Sequence, residues 1–314
     1  MKHVVILTVL AAASFAVAQT TGTPSTANPS TPAQTQAPAA QGTPGQTTPA
    51  QATPAAPSQG KAMPQAKTQE EFKAYQDAVA KTAPAEVEAA AVAFAAKFPD
   101  SELRGLIYRK AMYDYQNANN SEKTVEMAKK ILALEPNNPE ALVTFATITA
   151  QSTRETDLDR DERLNEAIKS ANKALQTVDT DMVVPANAPP DRIEAYKNSM
   201  RAMAYDAIGT VAMVKKDYPT AETNLRKATE LNAQPDPVSW LRLAVALDQQ
   251  KKYPQALEAA NKAVEYSADS PQANNLAKME RDRLQKLIST PAAQTPAASA
   301  PPTSPTPVAP KPPQ

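Results

Sequence analysis

The chain has 314 residues with 33 basic and 33 acidic side chains, a formal net charge of zero. Balanced charge argues against a nucleic-acid or membrane-surface binder, each of which needs a basic face. There is no cysteine and a single histidine, His3, which excludes disulfides, thiolate catalysis, His-dependent triads and His- or Cys-based metal sites from any chain lacking residue 3.

In chain order, Met1, Lys2 and His3 form a short basic start, and an apolar run follows from Val4 to Val17. Ala16-Val17-Ala18 supplies the small-x-small pattern of a signal-peptidase site, so residues 1–18 are expected to be a signal peptide cleaved before Gln19. The run falls short of the roughly 20 residues a membrane span needs. The expected location is therefore periplasmic or secreted, with no integral membrane span in the mature chain.

Residues 19–66 are rich in Pro, Thr, Ala and Gln and carry no charge before Lys61; residues 289–314 resemble them. Such compositions lack the bulky apolar groups that offset ordering entropy, so both tails are expected to be disordered linkers. From 67 to 288 the composition reverses to Ala, Glu, Lys, Leu and Met, with only Gly105 and Gly209 as glycines. Helix formers at that density predict an all-α domain. Eleven helices are expected: 67–81, 85–97, 102–117, 121–134, 139–151, 163–177, 191–215, 218–231, 237–250, 253–267 and 270–288. Asn138, Ser121 and Ser270 are suitable N-caps. Pro139, Pro219, Pro254 and Pro271 stand where the missing N–H costs nothing.

The helices repeat. Ala256-Leu257, Ala260 and Ala263-Val264 recur as Ala167-Ile168, Ala171 and Ala174-Leu175, and more loosely around Ala221 and Thr124. That spacing lies on one helical face. Upstream, Trp240, Leu243, Ala244 and Leu247 match Tyr205, Ile208, Gly209 and Ala212 at an offset of 35 residues, and Tyr108, Ala111, Met112 and Tyr115 form a third version. These residues, with the turn around Pro136, resemble the tetratricopeptide repeat. In the later units Ala233 and Ala268 replace the family's closing proline. The resemblance implies a right-handed solenoid of stacked antiparallel helix pairs that binds a protein or peptide partner and has no cofactor. It places Arg109, Tyr113, Met203, Asp206, Thr210, Met213, Leu241, Val245 and Asp248 near a concave surface suited to a peptide. Residues 270–288 are expected to form the polar cap.

Other candidates favour structural roles. Asp157, Asp159 and Asp161 alternate like calcium ligands, but Glu162 and Ile168 stand where such a loop needs Gly and Glu, which leaves a solvated charged loop. Trp240, Tyr205 and Tyr108 fit core packing between helices, as do most of Met200, Met203 and Met213. No constellation for catalysis is evident, so a non-catalytic adaptor for an envelope complex is expected. Self-assembly is the alternative, with carboxylate or lysine chemistry a distant third.

Overall fold

The computed structural model describes residues 60–185 and 188–290; the expected signal peptide and most of both tails lie outside the described residues. Eleven helices are present among these residues: α1 Gln69–Val79, α2 Pro84–Lys97, α3 Leu103–Asn117, α4 Ser121–Leu134, α5 Pro139–Ser152, α6 Arg160–Thr177, α7 Pro190–Val214, α8 Tyr218–Leu231, α9 Pro237–Gln249, α10 Tyr253–Tyr266 and α11 Pro271–Ser289. The fold is all-α and built from stacked helix pairs. Boundaries match the sequence expectation closely except at α6, which begins three residues early.

The chain divides into two compact units. Among the described residues, one comprises 60–148, 173–185 and 188–197, the other 149–172 and 198–290. In the first, α1 packs on α2, α2 on α3 and α3 on α4, and α1 also reaches α3. In the second, α8 packs on α9, α9 on α10 and α10 on α11, and α9 also reaches α11. α2 and α10 therefore each serve two first helices, the stacking logic that the tetratricopeptide resemblance implies. The first core centres on Ile107, Met112, Met127 and Ile131. The second centres on Leu225, Leu243, Leu247 and Leu284. α5 is apolar almost all round, and residues 138–146 are all buried, as expected of a helix without a polar face.

The repeat reappears in detail. Lys130 lies over the Tyr108 ring (6.0 Å), Lys227 over Tyr205 (5.0 Å) and Lys262 over Trp240 (5.1 Å), each lysine 22 residues after its ring. A cation over an aromatic face, its stem covering the ring, contributes roughly 0.5–1 kcal/mol at partly exposed sites. These aromatics pack between helices, as their spacing suggests; Trp240 also meets Tyr266 at 6.4 Å.

The turns within pairs are copies as well. After α3, α7 and α9 the chain closes with the same two backbone bonds, for example Lys216 N to Met213 O (3.0 Å) and Asp217 N to Ala212 O (2.9 Å). This is a Schellman motif, whose left-handed position usually holds glycine. Here it holds Asn119, Lys216 and Lys251, with φ of 56°, 61° and 60°. Lys216 and Lys251 stand 35 residues apart, at the offset read from the sequence. A Cβ in this conformation costs about 1–2 kcal/mol. Lys216→Gly and Lys251→Gly are each expected to raise stability by about 0.5–1 kcal/mol, because glycine relieves that strain but adds freedom to the unfolded chain. The measurement is an increased urea midpoint. An unchanged or lower midpoint counts against this account of the turn.

Caps follow the sequence in part. Asn138 Oδ1 accepts from Ala141 N at 3.1 Å. Asn120, rather than Ser121, caps α4 through Lys123 N, because the Schellman turn places residue 120 one position before the first helical residue. Ser270 occupies the N-cap of α11 without a side-chain bond. An unforeseen reciprocal cap opens α1. Thr68 Oγ1 accepts from Glu71 N (3.1 Å) while Glu71 Oε2 accepts from Lys67 N (2.6 Å), which satisfies two orphan donors together.

Residues 60–66 were expected to belong to the linker. They are instead placed against the first unit, where Lys61–Ala62 pairs in parallel with Val183–Val184. Lys61 N donates to Met182 O at 2.8 Å, Lys61 Nζ lies 3.9 Å from Glu135, and Pro64 is buried. Gly60 has φ of 134°, and a Cβ there would stand 2.6 Å from both Met182 O and Val184 Cγ2. Only glycine passes so close to that strand.

Candidate functional site

The nine residues expected to line a binding surface fall into two sets. Arg109 and Tyr113 belong to the first unit, and Met203, Asp206, Thr210, Met213, Leu241, Val245 and Asp248 to the second.

Arg109 and Tyr113 lie one turn apart on α3 and join an internal network. Arg109 Nη2 donates to Glu140 Oε1 at 2.8 Å, and its Nε is in ion-pair contact with Glu140 Oε2. The Arg109 guanidinium also lies 5.7 Å from the Tyr113 ring. Tyr196, on α7, donates to Glu140 Oε1 at 2.6 Å, and its hydroxyl lies 3.2 Å from that of Tyr113. Glu140 is 4% exposed, so this carboxylate owes its tolerance of burial to three donors. A neighbouring cleft of only about 10 Å³ is lined by Gly105, Glu135, Met182 and Val183 together with Arg109 and Glu140. It has room for about one water molecule and is too small for a substrate.

Charges follow from this packing. Burial opposes ionised Arg109, but the adjacent Glu140 carboxylate outweighs it and raises the guanidinium above its ordinary range. Burial and then the Glu140 charge push both Tyr196 and Tyr113 upward. Tyr115 is raised by burial and by its bond to Glu88, and Tyr108 mainly by burial. Unfolded tyrosine titrates near 10. Above about pH 10 the unfolded chain therefore releases protons that the native chain keeps, and stability falls as pH rises. Lys123, held up by Glu126 and Glu88, acts in the same direction. The urea midpoint of the full chain is expected to drop between pH about 9 and about 11, with a shallower drop for Tyr196→Phe. An equally steep drop in that variant would remove Tyr196 from the explanation.

In the second unit the carboxylates are likewise engaged. Asp206 accepts from Arg242 Nη1 at 3.1 and 2.8 Å and from the Ser239 hydroxyl at 2.7 Å, which ties α7 to α9. Asp248 meets Arg283 Nη2 at 2.6 Å, tying α9 to α11. Asp206 and Asp248 are each 8% exposed. Thr210 is also buried. Three ion pairs, Arg109–Glu140, Asp206–Arg242 and Asp248–Arg283, thus fasten successive first helices together. Sequence spacing could not show this, because the partners lie 31, 36 and 35 residues away.

What remains accessible is apolar. Met203 and Met213 on α7, and Leu241 and Val245 on α9, are half-buried. Met203 lies one turn before Asp206; Leu241 and Val245 flank Arg242. The arrangement offers an apolar strip beside a fixed ion pair, a surface chemistry suited to a peptide. Glu140, Tyr196 and Arg242 were missed as participants; their one sequence signal was polarity within otherwise apolar helical stretches.

The charged loop before α6 is self-contained. Asp157 Oδ2 accepts from Arg154 N (2.9 Å) and from Arg163 Nη1 (3.2 Å), and Arg163 also bonds Ser152. Among the described residues no acidic or histidine cluster has the geometry of a metal site.

No family model matches the chain, and no curated protein matches it. Solved structures do. The crystal structure of MamA protein is 21% identical, over 58% of this chain and 86% of that one, with a TM-score of 0.36. TTC0263, a thermophilic tetratricopeptide-repeat protein of Thermus thermophilus, is 16% identical over 67% of this chain and 98% of that one, with a TM-score of 0.40.

Proposed function

We propose that this chain is an exported, non-catalytic scaffold that binds a protein or peptide within an envelope-associated complex. The observation that carries the reading is the half-exposed strip of Met203, Met213, Leu241 and Val245 beside the Asp206–Arg242 pair. The ion pair holds α7 and α9 in fixed relation, so the apolar side chains are presented with little ordering cost. The partner is a segment with apolar side chains at helical or extended spacing, rather than a nucleic acid, since no excess of basic charge exists. The absence of Cys, and of His beyond residue 3, supports a non-catalytic role. The basic start, apolar run and Ala16-Val17-Ala18 support export; N-terminal sequencing of the mature protein tests this, with Gln19 as the expected first residue. Among the described residues no helix is long and apolar enough to cross a membrane.

The binding test is a photo-crosslinking residue placed at Leu241 or, as control, at exposed Lys227 on α8. The expected result is a discrete crosslinked species in cells from position 241 only, abolished by Met203→Ala with Val245→Ala at unchanged helicity. Equal crosslinking from both positions, or persistence in the double variant, removes the strip as the binding surface. Arg109 and Tyr113 are unsuitable probes of binding, because their replacement strikes the Glu140 network first.

A further inference from the structure

We propose that α2 is a self-association face, through which two copies of this chain pair antiparallel across a two-fold axis. The proposal is independent of the peptide-binding strip, which belongs to the second unit. It begins with an exception among the second helices. Beyond the first turn, the exposed residues of α4 are Lys129 and Ala133; those of α6 are Asn165, Glu166, Lys169, Asn172 and Gln176; those of α8 are Thr223, Lys227 and Glu230; those of α10 are Glu258, Asn261 and Glu265. All but Ala133 are polar, as a solvated face requires. On α2 the corresponding residues are Ala89, Val92, Ala93 and Ala96, followed by Lys97. Val92 is 50% exposed. The inner side of α2 is apolar too, with Val87, Ala91 and Phe94 buried in the first core. A helix apolar on both sides has a second surface to cover.

Charge placement selects the occupant. At about 100° per residue, Glu86 and Lys97 flank the same edge of this apolar face, one at each end of the helix. In an antiparallel helix pair, like edges face each other, so Glu86 of one copy meets Lys97 of the other, and the two-fold axis makes the contact twice. A parallel pair would instead set each edge against the opposite one and leave both charges unmatched. Glu86 has no ion-pair partner among the described residues, while Lys97 holds Glu70 at 2.7 Å with both side chains more than half exposed. Exposed pairs of that kind are weak and exchange partners readily. Small alanine side chains allow the close approach that such a pairing needs. One helix per copy is a small interface, below the roughly 1,200 Å² of a standard complex. The dimer should therefore have a dissociation constant of roughly micromolar or weaker.

The full chain tests this directly, since it contains no cysteine of its own. Residue 92 lies beside the proposed axis, whereas the two copies of residue 85 would stand about 20 Å apart at roughly 1.5 Å rise per residue. Under mild oxidation, Val92→Cys should form a covalent dimer and Ala85→Cys should not. In sedimentation across a concentration range, Glu86→Lys and Lys97→Glu should each weaken the dimer about tenfold, and the two together should restore it, with helicity unchanged throughout. A chain that stays monomeric at every concentration, equal crosslinking from both positions, or failure of the double reversal to restore pairing would each overturn the proposal.

Discussion

Gly209→Ala is expected to lower the stability of the chain by about 1–2 kcal/mol, although alanine is the better helix former by about 1 kcal/mol. The reason is the approach of α8 to α7. A Cβ at 209 would lie 2.7 Å from Leu225 Cγ, 2.9 Å from its Cδ2 and 3.4 Å from its backbone N. Leu225 is fully buried, so it has no free volume to move into, and overpacking of this kind costs roughly 1–3 kcal/mol. Leu225→Ala alone should cost more, about 2–5 kcal/mol, by leaving a cavity. The two changes together should cost less than their sum. One repeat later, at the same offset of 35, the corresponding residues are Ala244 and Ala260, both fully buried. An Ala–Ala contact is thus a working solution for this joint, as Gly–Leu is. A double-mutant cycle in urea reads the coupling; strictly additive costs would show that the two residues do not share the same volume.

Glu140→Ala should be the most damaging single change in the first unit, with a loss of about 3–5 kcal/mol. The carboxylate is the common acceptor for Arg109 and Tyr196, and it lies 3.3 Å from the Tyr113 hydroxyl. Without it, a largely buried guanidinium loses its counter-charge and two buried hydroxyls lose an acceptor. Replacing both charges, as Arg109→Met with Glu140→Leu, should recover most of the loss, because an apolar pair of similar volume needs no desolvation. Thermal unfolding of these two variants beside the parent chain distinguishes the cases. If the double variant is as unstable as Glu140→Ala, the damage comes from packing rather than from the stranded charge.

These two sites show different degrees of legibility. Gly209 stood out in the sequence as one of two glycines between residues 67 and 288, at the small position of the repeat. Its complement, Leu225, became meaningful only when α8 was placed against α7. Arg109, Asp206 and Asp248 were correctly located on first helices, yet their engagement with Glu140, Arg242 and Arg283 was not visible. Helical periodicity says which face a residue occupies, but not which charge stands opposite it on another helix. The β1–β2 contact, Lys61–Ala62 with Val183–Val184, is a further case. Two residues carry no period, and the partners lie over a hundred residues apart. The proline-rich composition around them pointed to a linker.

Helix positions, their order and the 35-residue offset of the later repeats were all readable before any coordinate was known. Those features depend on interactions between residues three or four apart and on turn chemistry a few residues long. Packing in three dimensions, by contrast, set which polar side chains fasten helix to helix and which apolar ones stay accessible. It also set α2 apart from α6, α8 and α10 in what it leaves exposed. Pairing of buried charge is fixed by whichever group lies within a few ångströms in space, and folding brings such groups together from more than thirty residues away.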